Sequence, residues 1–304
     1  MFNLESSYSL KDLINLLNKE NFSKMLRALL NRIPIFVIGN ESIQIDRIVN
    51  SIIKLVPHRH EMVYWNDFIE NDEAHRLFSE EDADYNVRRL VISSLTNATP
   101  HALRKIKSFK GWVLGYLAKN KSFNEILNEL KLMLEQSIFL LIYKNGIELI
   151  THGFEWNGLN LNFEKNIIQK SIIETEVALE KMNRVLRKKV KSKKVPSTQM
   201  LNAILNFDSE EAKIRQNIYN QKIEEFVQAS LRALAILTRI ELLQELGFNI
   251  QISEKTLFKT IDYYEVDHKR LIDFLKFEYG IDFSKCIGTG MKIAIGDVIE
   301  SKWG

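Results

Sequence analysis

The sequence predicts an α/β fold: a mainly parallel sheet ending in an antiparallel edge hairpin, with long helices and a small C-terminal α+β module. Three observations lead there. Between residues 34 and 163 short apolar runs alternate with helix-patterned segments. One of these runs, Ile35–Ile38, ends in Gly39 directly before a helical pattern. After Phe163 the apolar period becomes helical and, apart from a break at Val195-Pro196-Ser197, runs to Gly247.

Residues 1–33 read as a helical lead. Leu10, Leu13, Ile14, Leu16 and Leu17 make one apolar face, and Met25, Leu26, Leu29 and Leu30 make another, with Ser9 and Ser23 as N-caps. Residues 34–163 form the α/β domain. Its strands are expected at Ile35–Ile38, Met62–Trp65, Arg89–Ser93, Trp112–Tyr116, Ile138–Tyr143 and Ile147–Thr151. Helices are expected at Ile43–Leu55, Pro100–Lys107 and Phe123–Gln136. The first four strands are apolar without alternation, as for strands covered on both faces. Strand–helix alternation gives parallel pairing through right-handed crossovers. Lys144-Asn145-Gly146 between the last two apolar runs signals a hairpin, and Asn157-Gly158 marks a further tight turn.

Residues 164–248 read as a pair of long helices with a basic linker. Ile167, Ile168, Ile172, Ile173, Val177, Leu179, Met182 and Val185 carry the first, and Val195-Pro196-Ser197 breaks it. Ser209 opens the second, whose apolar face runs from Ile214 to Leu243 and whose stop is Gly247. Residues 249–304 form a small module whose order permits a winged-helix fold, among many other small folds. A helix capped by Ser253 precedes another over Asp267–Tyr279, and Met291–Ile295 and Val298–Lys302 form a hairpin.

Of 304 residues 45% are apolar, enough for a substantial core, and only 12 Gly and 4 Pro favour regular structure. The single Cys286 excludes a disulfide framework and a cysteine-cluster metal site, in keeping with a reducing, cytoplasmic setting. No signal-peptide pattern stands at the start. The most apolar window, Ser137–Tyr143, is well short of the roughly 20 residues that span a bilayer, so no membrane partner is expected.

The net charge of +3 conceals a local excess. Arg184, Arg187, Lys188, Lys189, Lys191, Lys193 and Lys194 place seven cations in eleven residues with no acid among them. Such density neutralises phosphates and releases counterions, giving salt-dependent binding without sequence preference. Arg104, Lys105 and Lys107, with Arg88, Arg89 and Lys110, are candidates to extend that surface. The competing reading is a solvated helix end whose charge complements the helix dipole.

The turn after Ile38 has the geometry of a P-loop-like frame, in which a strand hands a phosphate to a helix N-terminus. A working loop needs Gly-x-x-x-x-Gly-Lys-[Ser/Thr]. With Gly39 on the first glycine, Gln44 falls on the second, Ile45 on the lysine and Asp46 on the hydroxyl. Three of these four positions lack the required group, and a carboxylate at Asp46 repels phosphate. The strand that should end in a metal-binding acid ends instead in Ser93-Ser94. NTP hydrolysis and a bound cofactor are therefore not expected.

Gly39-Asn40-Glu41, Ile45-Asp46-Arg47-Ile48-Val49 and Arg88-Arg89-Leu90-Val91-Ile92 together resemble the degenerate ATPase domain of clamp-loader delta subunits, over residues 34–95. In that family a Gly-x-Glu segment replaces the phosphate loop and an Arg-Leu-Val strand lacks the acidic pair. The resemblance implies a scaffold inside a nucleic-acid-handling complex.

Other constellations are weaker. His58-Arg59-His60 invites a metal, as does His75 among Glu73, Glu80, Glu81, Asp82 and Asp84, but a solvated turn at Pro57–His60 and a solvated acidic loop at 70–84 account for both. Asp67, Asp72, Glu80 and Asp84 stand where a metal-dependent nuclease or phosphotransferase would place its acids, without a following lysine. No Gly-x-Ser-x-Gly elbow is present. The expectation is a non-catalytic, pseudo-NTPase-like subunit that holds a protein partner through its helices and nucleic acid through its basic segment. The alternatives are the metal-dependent enzyme and a pure protein scaffold.

Overall fold

The structure, a computed structural model, describes residues 7–64, 89–153, 156, 159–191 and 207–288, without the side chains of 183, 185–191 and 207–209. Helix α1 spans Leu10–Leu30 and is broken at Asn18, whose φ is 58°. Two short helices result, as the apolar pattern predicts. Ser9 caps the first, accepting from the Asp12 N–H at 3.2 Å. The second is capped by Asn18, whose side chain accepts from the Asn21 N–H at 2.9 Å, not by Ser23. Ser23 lies inside that helix, buried, and donates to the Lys19 carbonyl.

The sheet order is β2-β3-β4-β1-β5-β6. The strands are β1 Ile35–Gly39, β2 His60–Val63, β3 Leu90–Ser94, β4 Trp112–Leu117, β5 Ser137–Tyr143 and β6 Gly146–His152. All pairs are parallel except β5–β6, which form the predicted hairpin around Lys144 and Asn145. Helix α2, Ser42–Ile53, follows β1. Helix α3, Thr99–Ala102, and a 3-10 turn at Leu103–Lys105 join β3 to β4. Helix α4, Phe123–Lys131, joins β4 to β5 and opens with a capping box between Ser122 and Glu125.

Strands β1, β3, β4 and β5 read as unbroken apolar runs because each buries both faces. Ile35, Val37, Val113, Ile138 and Leu140 face α1, α2 and the later helices. Phe36, Ile38, Ile92, Trp112, Leu114, Phe139 and Leu141 face Ala102, Ile106, Ile126, Leu127 and Leu130 on the other side. β2 departs from this. It is one edge of the sheet, β6 being the other, is mostly exposed, and starts two residues before its expected position.

Helix α5, Asn162–Lys191, lies against α6, Phe207–Glu245. Phe163 and Phe226 have ring centroids 4.4 Å apart, and Lys222 sits 3.3 Å from Glu174. The Tyr219 hydroxyl donates to the Leu55 carbonyl and so ties α6 to the end of α2. Gly247, at φ +87°, ends α6. Phe248 N–H reaches the Leu243 carbonyl and Gly247 N–H the Gln244 carbonyl, the two bonds of a Schellman stop.

The C-terminal segment contributes α7, Glu254–Ile261, capped by Ser253, and α8, His268–Tyr279, capped by Asp267. Short strands β7, Ile252–Ser253, and β8, Ile287–Gly288, pair in parallel. The hairpin expected at Met291–Lys302 and the Asn157-Gly158 turn lie outside the described residues. One hydrophobic cluster runs through all four sequence segments, joining Leu29, Ile48, Phe226 and Phe274.

Candidate functional site

The β1–α2 turn lies at the C-terminal edge of the parallel strands, where α/β folds place ligands. Asn40, Glu41, Ser42 and Ile43 are exposed on it, and Gln44 is half-buried. The interior of the turn is hydrocarbon. A Cβ placed on Gly39 would lie 3.2 Å from Ile45 Cγ1 and 3.2 Å from Ile142 Cδ1. Ile45, where the lysine of a phosphate loop would stand, is fully buried. It packs so closely on β4 that a Cβ on Gly115 would meet its Cγ2 at 2.8 Å.

Asp46 turns to the sheet. Its carboxylate accepts from the Thr96 backbone N–H at 3.0 Å and from the Thr96 hydroxyl at 3.2 Å. Burial raises its carboxyl above the usual range, opposed by those two hydrogen bonds. The end of β3 is also neutral and satisfied. Ser94 and Thr99 share a hydroxyl contact at 3.3 Å, and Thr99 donates to the Gly115 carbonyl. Ser93 donates to Glu61 of β2 at 3.2 Å. Gly39, Ile45 and Asp46 are thus brought together, as a closed joint between α2, β4 and the segment after β3.

The principal residues that sequence reasoning missed are buried charges. Arg59 is not in a solvated turn; it is only 5% exposed. Its guanidinium donates to the Leu29 and Leu30 carbonyls and to Glu278 at 2.6 Å. His58 Nε2 lies 3.8 Å from the same carboxylate. Burial pushes the Glu278 carboxyl up, but Arg59, His58 and Arg32 outweigh it and hold the group below its ordinary value. A second cluster pairs Arg270 Nε with Glu164 at 2.7 Å and Arg270 Nη1 with Asn31 at 3.0 Å, while Arg27 bonds Asp273 at 2.6 Å. Burial brings the Arg270 guanidinium down to about 10, with Glu164 opposing. A signal existed: Glu278 stands with Leu271, Phe274 and Leu275 on the apolar stripe of α8, and Glu164 with Ile167 and Ile168 on that of α5.

α5 is helical through Lys191, so Arg184, Arg187, Lys188, Lys189 and Lys191 all lie on it. Arg184 is exposed, 3.5 Å from Glu180. Lys193 and Lys194 lie outside the described residues. Arg104, Lys107 and Lys110 are exposed and Lys105 half-buried, around the turn that seats Ile106 on the face of the sheet opposite α5. The turn at 104–110 and the root of α5 therefore lie on opposite faces of the sheet. Arg89 does not extend either basic group; it is buried with its guanidinium 5.2 Å from the Tyr279 ring centroid. Arg88 is outside the described residues, as are His75 and the acids between 67 and 84.

Among the described residues no group of three or more His, Cys, Asp and Glu is placed to hold a metal. Cys286 is buried, and burial, with Glu241, pushes its thiol up to about 11, which leaves little thiolate for nucleophilic work. No helix among the described residues is long and apolar enough to cross a membrane. Comparison with protein-family models, with curated proteins and with solved structures finds no match to this chain.

Proposed function

We propose that this protein is a non-catalytic subunit of a nucleic-acid-handling assembly, in which a P-loop-like frame serves as scaffold and the basic end of α5 holds a polyanion backbone. The observation that carries the reading is the continuity of α5. Phe163, Ile167 and Ile168 fix its root in the core, and the same helix runs on into the cationic segment. Charge is thereby presented on a rigid support. The pseudo-NTPase part is supported by Ile45 and Ile142 beside Gly39 and by the engagement of Asp46 with Thr96. The clamp-loader delta resemblance enters this proposal as one of frame. A protein partner is supported by Leu242, Leu246 and Phe248, all more than half exposed near the end of α6.

Two measurements test this. Fluorescence anisotropy with labelled DNA and RNA at moderate salt should show binding by the wild type. Replacing Lys188, Lys189, Lys191, Lys193 and Lys194 with Gln should weaken it by more than about tenfold, given the salt-linked phosphate term. Equal binding by the variant, or none by the wild type, removes the nucleic-acid part. Calorimetry with ATP and magnesium should show no binding; micromolar affinity with turnover overturns the non-catalytic part.

A further inference from the structure

We infer that α5 takes the backbone of double-stranded nucleic acid along one stripe of its surface, formed by the positions of Arg184, Arg187, Lys188 and Lys191. This rests on the polyanion reading above and says which cations count. At about 100° per residue the four positions fall within a stripe about 100° wide. Lys189 lies roughly 140° round the helix from Arg184 by the same period. The outward sense of the stripe is fixed nearer the root. Ile173 and Val177, which share it, are 47% and 46% exposed, whereas Ile168 and Thr175 on the other side are buried. Arg184 itself is exposed.

Duplex backbone is the occupant that this stripe fits. A helix rises about 1.5 Å per residue, so the four positions extend over roughly 10 Å along the axis. Long arginine and lysine side chains suit contact with a series of fixed phosphates. Single-strand binding draws on aromatic platforms for base stacking, and no aromatic residue occurs between Asn183 and Lys194. The stripe carries no Asn or Gln to read an adenine edge. One acid, Glu180, shares the stripe and holds Arg184 at 3.5 Å; phosphate competes with it.

The salt dependence of binding is the test, because it counts phosphates. Anisotropy is measured with a short labelled DNA duplex, an RNA duplex of the same sequence, the single strands and anionic phospholipid vesicles, between about 50 and 200 mM salt. Each of Arg184→Gln, Arg187→Gln, Lys188→Gln and Lys191→Gln should flatten the slope of log affinity against log salt by about 0.9, and the fourfold variant by about 3.6. Lys189→Gln should leave the slope unchanged, and Glu180→Gln should tighten binding. Circular dichroism shows that each variant keeps its helix. If Lys189→Gln flattens the slope as much as Lys188→Gln, the stripe is wrong while the polyanion reading stands. Single strands or vesicles held as tightly as duplex overturn the ligand class. A wild type that binds none of these probes overturns both statements. The two duplexes separate DNA from RNA.

Discussion

Gly115 decides how closely α2 lies on the sheet. It has no side chain, so Ile45 can rest on β4; a methyl group there would stand 2.8 Å from Ile45 Cγ2. Gly115→Ala should therefore cost about 1–3 kcal/mol by overpacking, read from the urea midpoint. In an Ile45→Ala background, which by itself loses about 2–5 kcal/mol, the same change should cost less. Additive losses would show that the contact is not what excludes the methyl group. That Ile45 stands where a phosphate loop would need its lysine is legible in the sequence from residue type alone. That Asp46 fastens Thr96 is not, because the two are 50 residues apart and neither belongs to a motif.

Elements were more legible than their surroundings. Strands β1, β3, β4 and β5 announce themselves because both faces are covered, and the helix stop at Gly247 because a left-handed residue is needed there. Gly247→Ala should lower stability by about 1–2 kcal/mol, the strain of a Cβ at positive φ. Thermal unfolding by circular dichroism reads this, and an unchanged midpoint would mean that α6 can end elsewhere. β2 starts two residues before its apolar residues suggest, because an edge strand lacks the apolar run that marks the interior ones. The caps Ser9, Ser253 and Asp267 follow the rules, whereas Asn18 rather than Ser23 caps the second part of α1.

Across the whole molecule, α8 is fastened to the rest by charges inside the core. Glu278→Gln removes the acid from Arg59, and truncating one partner of a buried pair costs about 3–5 kcal/mol. The variant should be destabilised by that order in urea titration; a loss under about 1 kcal/mol would mean that water compensates the arginine. The pH dependence has a definite sign. The Glu278 carboxyl is held below 4.5 in the folded state, so its contribution is present above 4.5 and is lost as pH falls through the lowered folded value. Wild type should lose stability over that acid range, and Glu278→Gln should lack this component. The pairing was illegible in the sequence because Arg59 and Glu278 stand 219 residues apart. That distance also orders events in time. At ribosomal rates of about 5–20 residues per second, roughly 10–40 seconds separate the synthesis of Arg59 from that of its acid. During that interval the nascent α/β sheet lacks the carboxylate that its finished core requires. Completion of the fold is therefore timed by α8, one of the last described elements to be made.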